Sequence, residues 1–345
     1  MIGIDLFSGA GGLSAGAVAT GVRISVAVES DPNAAAAYRA NHPEVNLIVE
    51  DICDVPDLHP IETSQPTVLF GGPPCQGFST SNQRTRSLNN PLNHLYTHFI
   101  RQVRSMRPTF ILFENVKGFV ETQGGFFFSD TLRQLEKLGY KVTHGVLNAT
   151  DYGVPQNRSR LFIVGSLTHS PKLPPPCVAV PTTVSDALLD LPELHNGAAL
   201  NEMPYRTNPQ SRYAQRLRAG SQLCKNNLVT RNAGYIIERF EHVPQGGNWR
   251  DIPDSLMSNY TDHSRCHEGI YHRLSWDGPS IVIGNYRKNM LIHPSANRGL
   301  SVREAARLQS FSDSHVFAGS IGFQQQQVAN AVPPMLAQAV FKHLR

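Results

Sequence analysis

Through its first 166 residues the chain alternates short apolar runs with helix-like stretches, and this rhythm limits the possible folds more than any other feature. IGIDLF (2–7), ISVAVE (24–29), NLIVED (46–51), TVLFGG (67–72), FILFENV (110–116), KVTHGVLNA (141–149) and RLFIVGS (160–166) read as strands, most of them buried. Between them GAGGLSAGAVATG (9–21), DPNAAAAYRANH (31–42), LNHLYTHFIRQVRSM (92–106) and FSDTLRQLEKLG (128–139) read as helices, the second opened by Asp31 and Pro32. Such alternation predicts an α/β fold, a doubly wound and mostly parallel sheet with helices on both faces.

The rhythm stops near Pro171. SPKLPPPCVAVPTT (170–183) reads as a linker, and the chain stays irregular to about Asn297. Helical patterns return at LSVREAARLQSF (300–311) and NAVPPMLAQAVFKHL (330–344). The expected organisation is a first domain at 1–174, a smaller irregular domain at 175–310, and a segment at 311–345 that returns to the first. A chain of 345 residues can build both cores. No apolar run approaches the roughly 18 residues of a membrane helix, and the N-terminus MIGIDLFSGAGG lacks a secretory pattern, so a cytosolic protein is expected. Five cysteines, an odd number with no C-x-x-C pair, argue against a disulfide framework or a ribbon-type metal site and permit a free nucleophile. The net charge of +4 only tilts the balance toward anionic partners. The basic residues divide as 24 Arg and 7 Lys. The arginine fork suits phosphates and guanine edges, although a codon bias would produce the same excess.

Three places on this frame can carry chemistry. The turn DLFSGAGGLS (5–14) puts Gly9, Gly11 and Gly12 between a strand and a helix, where backbone N–H groups can approach a ligand. Ser14 stands at the third glycine position of the dinucleotide fingerprint, so that fingerprint fails. Glu29 and Asp51 end the next two strands, where carboxylates can bind ribose hydroxyls and an adenine amino group. The set suggests an adenosine-containing ligand without a pyrophosphate; a tight turn with solvated acids is the alternative. The second place is FGGPPCQGFSTSNQR (70–84), where Pro73 and Pro74 stiffen the backbone in front of Cys75 at the carboxyl edge of the fourth strand. A thiol placed this way suits nucleophilic attack, with Arg84 and Arg86 available for phosphates. The third place comprises Glu114, at the end of the fifth strand, and Arg158 and Arg160 in QNRSR, whose i, i+2 spacing in an extended segment would put both guanidiniums on one face. A buried carboxyl such as Glu114 can hold or deliver a proton at neutral pH.

DLFSGAGG (5–12), Glu29, Asp51, GGPPCQGFS (71–79), ENV (114–116), QNRSR (156–160), LSVREAARLQSF (300–311) and VANAVPP (328–334) occur in an order that resembles the cytosine-5 DNA methyltransferases of bacterial restriction–modification systems. The resemblance spans nearly the whole chain. It implies the S-adenosylmethionine-dependent methyltransferase fold, with 1–174 as catalytic and cofactor-binding domain and 175–310 as target-recognition domain. It implies that S-adenosylmethionine, leaving as S-adenosylhomocysteine, binds at Phe7, Gly9, Gly11, Leu13, Glu29, Asp51, Ile52, Pro73, Asn330 and Val332. Cys75 would be the nucleophile. Glu114 would contact ring nitrogen 3 of a flipped cytosine, and Arg160, with Arg158 nearby, its carbonyl oxygen. Ser79, Arg84 and Arg86 would meet DNA, with Gly77 as a hinge of their loop. The implied partner is double-stranded DNA, with no membrane, for a cytoplasmic, DNA-associated monomer paired functionally with a restriction endonuclease. The first block begins within a few residues of Met1, as expected of a compact bacterial or phage-type enzyme. Two positions depart from the family pattern: Ala329 stands where glycine is usual, and Ser312 where proline is usual.

Rival readings are a tRNA cytosine-5 methyltransferase of the same superfamily, a non-catalytic DNA-binding homologue and a nicotinamide dehydrogenase. The absence of a Cys-Phe-Thr tripeptide opposes the first. Intact Cys75, Glu114 and Arg160 oppose the second, and Ser14 with the cysteine block opposes the third. His263, Cys266, His267 and His272 lack the regular four-ligand spacing of structural zinc, so no metal is expected.

Overall fold

The computed structural model describes residues 1–74, 94–258 and 267–344. Cys75, Gly77, Ser79, Arg84, Arg86, His263 and Cys266 lie outside the described residues. The described chain divides into two compact units: 1–152 with 159–177 and 332–345, and 153–158 with 178–331. The sequence boundary therefore moves: 311–331 belongs to the second unit, and only Val332 onward to the first.

The first unit carries the strands β1 (Ile2–Leu6), β2 (Arg23–Val28), β3 (Asn46–Ile48), β4 (Thr67–Gly71), β5 (Phe110–Val116), β6 (Lys141–Asn148) and β7 (Ser159–Ser166). Among the described residues they form one sheet in the order β3-β2-β1-β4-β5-β7-β6. β1 pairs in parallel with β2 and β4, and β4 with β5, whereas β7 runs antiparallel to both β5 and β6. The reversal follows from connection length. Parallel neighbours need a crossover of a dozen or more residues, and the link from β6 to β7 is shorter. Helices α1 (Gly12–Val18), α2 (Pro32–Asn41), α3 (Leu95–Met106), α4 (Gly118–Glu121) and α5 (Phe126–Lys137) connect the strands. Asp31 caps α2 by accepting from the amides of Asn33 and Ala34, both at 2.8 Å, with Pro32 in the first turn. Ile4, Leu69, Ile111 and Phe113 of the sheet pack with Phe99 and Val103 of α3 in one buried cluster. Each such side chain contributes roughly 1.5–3 kcal/mol by leaving water.

The second unit carries α6 (Val184–Leu188), α7 (Arg212–Arg218), α8 (Gly234–Glu241), α9 (Tyr286–Asn289), α10 (Val302–Leu308) and α11 (Ile321–Asn330). A last helix, α12 (Pro334–Lys342), belongs to the first unit and lies against α1. Gly16 permits this contact, since a Cβ there would come within 2.4 Å of the Ala337 Cβ.

In the second unit part of the arginine excess has a structural use. Arg158, Arg239, Arg273, Arg298, Arg303 and Arg307 are buried and serve as internal crosslinks. Arg307 pairs with both oxygens of Asp313, at 2.6 and 2.7 Å, and also reaches Asp190. Arg273 donates to the carbonyls of Val243, Phe240, His293 and Ala296. Arg298 grips Glu304 through two bonds of 2.8 and 2.7 Å. Burial alone would raise the Glu304 carboxyl. The Arg298 and His293 interactions and the hydrogen bonds from Arg298 and Ser301 outweigh it and hold the carboxyl at about 2. His293 lies 3.7 Å away, but burial pushes its imidazole down to about 4, so it is uncharged at neutral pH.

The folded Glu304 value lies below its usual 4.5, so its stabilisation is present above 4.5 and is lost as pH falls toward about 2. The loss is on the order of 3 kcal/mol. Glu304→Gln is therefore expected to flatten that acid limb in denaturant unfolding curves recorded from pH 5 down to about 2. An unchanged limb would show that the pair does not carry this pH dependence.

Candidate active site

The carboxyl ends of β1, β4 and β5 converge at the point where the strand order reverses, the place where open α/β sheets bind ligands. After β1 the backbone turns through left-handed Phe7 (φ 58°), Gly9 (55°) and Gly11 (89°) before entering α1. Gly9 donates its N–H to Glu29 Oε2 at 2.7 Å, and Asp31 donates to Glu29 Oε1 at 2.8 Å. Burial raises the Glu29 carboxyl, against the pull of these amide hydrogen bonds. Asp51 is exposed and accepts from the Cys53 amide at 2.9 Å, which lowers its carboxyl. Leu13, Ile52, Pro73 and Val332 are buried in this same unit. Asn330 is the exposed last residue of α11, in the second unit.

β4 delivers Gly71, Gly72, Pro73 and Pro74 to the edge, one residue short of Cys75. The approach to β5 is close. A Cβ on Gly72 would lie 2.5 Å from Glu114 Oε2, and Asn115 Nδ2 donates to the Pro73 carbonyl at 3.3 Å. Glu114 is 7% exposed. Arg160 Nε lies 3.0 Å from Glu114 Oε1, delivered by the antiparallel register in which Val116 faces Arg160. Glu114 and Arg160 thus meet as one largely buried, charge-assisted pair. Such a pair offers adjacent acceptor and donor groups to the edge of a planar heterocycle.

Arg158 needs a correction. β7 begins at Ser159, so Arg158 is not on the strand, and the alternation that would align it with Arg160 does not apply. Its guanidinium is 1% exposed and donates to the carbonyls of Ile283 (2.9 Å) and Ala329 (2.7 Å), all within the second unit. These bonds crosslink separate backbone segments of the second unit. Sequence reasoning missed Gly72 and Asn115 as the residues that lock the two strand ends together. Both lie inside the quoted blocks, but only pairing of β4 with β5 shows why they matter.

The fold is that of an open, doubly wound α/β protein, a class that binds ligands at the strand ends where the order reverses, here the edge of β1, β4 and β5. Residues 1–345 match the family model for C-5 cytosine-specific DNA methylases, and the chain belongs to that family. It is a DNA methyltransferase acting at carbon 5 of cytosine. It is 37% identical over 343 residues to the Type II methyltransferase M1.HphI of Haemophilus parahaemolyticus, covering 98% of this chain and 84% of that one. It is 33% identical over 374 residues to the Type II methyltransferase M.DdeI of Desulfomicrobium norvegicum, covering 99% and 88%. Among solved structures, a DNA modification methyltransferase encoded within an E. coli prophage superimposes with a TM-score of 0.80 at 26% identity, covering 100% of this chain and 98% of that one.

Proposed function

We propose that this chain is the modification methyltransferase of a restriction–modification system. It would act as a cytoplasmic monomer on a specific duplex sequence, with S-adenosylmethionine as methyl donor. The names of the two Type II relatives support the biological setting. Among the described residues no helix is long and apolar enough to cross a membrane. The observation that carries the chemistry is the Glu114–Arg160 pair packed against the strand end that leads to Cys75.

The donor set fits the cofactor. Glu29 holds the Gly9 amide, so a carboxylate sits at the turn where a pyrophosphate would need its donors. Like charge disfavours a phosphate there and favours ribose hydroxyls or a cationic group. Phe7, Gly9, Gly11, Leu13, Glu29, Asp51, Ile52, Pro73, Asn330 and Val332 are the residues assigned to hold it. When bound, it supplies an electrophilic methyl group carried on a sulfonium.

Carbon 5 of cytosine is a weak nucleophile. The Cys75 thiolate adds to carbon 6 and pushes electron density toward carbon 5. Glu114 holds ring nitrogen 3 and stabilises the density that arrives there, while Arg160 holds the carbonyl oxygen and orients the Glu114 carboxyl. Once carbon 5 carries the methyl group, a base would take the carbon 5 proton, and the C5–H electron pair would re-form the 5,6 double bond as the carbon 6–sulfur bond breaks and Cys75 leaves as thiolate. The target atom is inaccessible in a stacked duplex, so the nucleotide must swing out of the helix. Ser79, Arg84 and Arg86 would then meet the flanking phosphates.

Labelled methyl transfer to duplex DNA and to tRNA, run side by side, tests the substrate class; methylation of tRNA alone would overturn this reading. A duplex carrying 5-fluorocytosine at the target is expected to trap a protein–DNA adduct that survives a denaturing gel, because fluorine cannot leave as a proton does. Absence of the adduct with a duplex that is otherwise methylated would exclude addition by Cys75. Bisulfite sequencing of plasmid DNA from an expressing host would read the target sequence.

A further inference from the structure

Ser14 occupies the position where the dinucleotide fingerprint has its third glycine, and the chemistry above leaves it without a task. Its hydroxyl donates to Asp5 Oδ2 at 2.6 Å and lies 2.8 Å from Tyr38 Oη. All three residues have 0% exposure. They come from three elements: β1, the first turn of α1, and α2.

Leu6 to Leu13 lie between Asp5 and Ser14 and contain all three left-handed positions of the turn. The Asp5–Ser14 bond therefore ties the two ends of that turn together. Helix α1 has no side-chain cap at Gly11, so a local cap does not fix its first turn. The far wall is also close. A Cβ on Gly11 would come within 3.0 Å of His42 Nε2 and 3.3 Å of the Tyr38 ring. The Tyr38 and His42 rings pack together at a tilt of 41° with centroids 4.8 Å apart, and both approach the turn at Gly11.

We infer that Asp5, Ser14 and Tyr38 form a positioning network that holds the glycine turn in its cofactor-binding shape, a polar staple where other folds pack a glycine. The inference rests on reading the turn as part of the cofactor site. Burial raises the Asp5 carboxyl well above its ordinary range, more than the Ser14 hydrogen bond lowers it, and Glu29 adds to the rise. Asp5 Oδ1 has no hydrogen-bond partner among the described residues. A neutral carboxylic acid suits such a site far better than a carboxylate. Asparagine, neutral and of the same shape, is therefore the conservative replacement.

The test titrates S-adenosylmethionine calorimetrically into the full chain and splits KM from kcat in steady-state methyl transfer. Ser14→Ala is expected to weaken cofactor binding about tenfold, the scale of an unsatisfied buried polar group. Its kcat at saturating cofactor and its KM for duplex DNA should stay at wild-type values. Asp5→Asn should bind cofactor as wild type does, whereas Asp5→Leu should weaken binding as Ser14→Ala does. Should Ser14→Ala fail to fold, Tyr38→Phe, which removes a single hydroxyl, gives the deciding measurement, with about threefold weaker binding expected. Folded Ser14→Ala and Tyr38→Phe proteins with wild-type affinity would overturn the network alone. Wild-type protein that does not bind S-adenosylmethionine would overturn the reading of the turn beneath it.

Discussion

Cys75→Ser should lower methyl transfer by about 10⁴-fold or more while leaving affinity for duplex DNA near the wild-type value. The size follows from the chemistry assigned to sulfur. A thiol is partly ionised near neutral pH and strongly nucleophilic, whereas a serine hydroxyl has neither property. Adding to carbon 6 of an unactivated pyrimidine needs both. Binding should survive because phosphate contacts supply most of the affinity for DNA, and the substitution replaces a single sulfur by oxygen. Single-turnover transfer and gel-shift affinity at one fixed salt concentration make the comparison. The same variant should no longer form the 5-fluorocytosine adduct. A serine enzyme retaining a tenth of wild-type turnover would mean that Cys75 is not the nucleophile, and the proposed mechanism would fall with it.

The sheet was legible because parallel strands buried on both faces leave uninterrupted apolar runs. FILFENV became β5 over the same seven residues, and Asp31 with Pro32 marked the start of α2. Two features were hidden for physical reasons. The direction of β7 depends on what lies between strands, and the sequence rhythm counted strands without asking whether each gap could hold a crossover. Helix α11 escaped because its buried face is polar. Gln324, Gln325 and Gln327 are buried and donate to Gly319 O, Thr230 Oγ1 and Ala318 O. Glutamines facing inward leave no apolar period to read. The neighbouring α12 was read as starting at Asn330, but the residue before a proline disfavours helical geometry, and the helix begins at Pro334. In the site, Glu114 was readable as a strand-end acid. Its partner could be chosen between Arg158 and Arg160 only once the start of β7 was known.

That partnership sets up the second large effect. Glu114→Gln is expected to cut kcat by about 10²–10⁴-fold, the range for losing a positioned acid–base group. Glutamine keeps the shape but cannot give up or take the proton needed as electron density reaches ring nitrogen 3. Arg160→Met should also slow turnover, for a related reason. Arg160 and Glu114 are only 12% and 9% exposed in their side chains, so removing either breaks a largely buried ion pair. The double variant Glu114→Gln, Arg160→Met should therefore be little worse than the slower single variant, because each substitution already breaks the same pair. Gly72→Ala supplies an independent check from the opposite strand. A Cβ there would overlap Glu114 Oε2 and must displace the carboxylate without touching its chemistry, so kcat should fall while duplex affinity holds. Additive losses in the double variant would instead mean that the two groups act separately. Wild-type turnover in Glu114→Gln would remove the carboxyl from the reaction altogether.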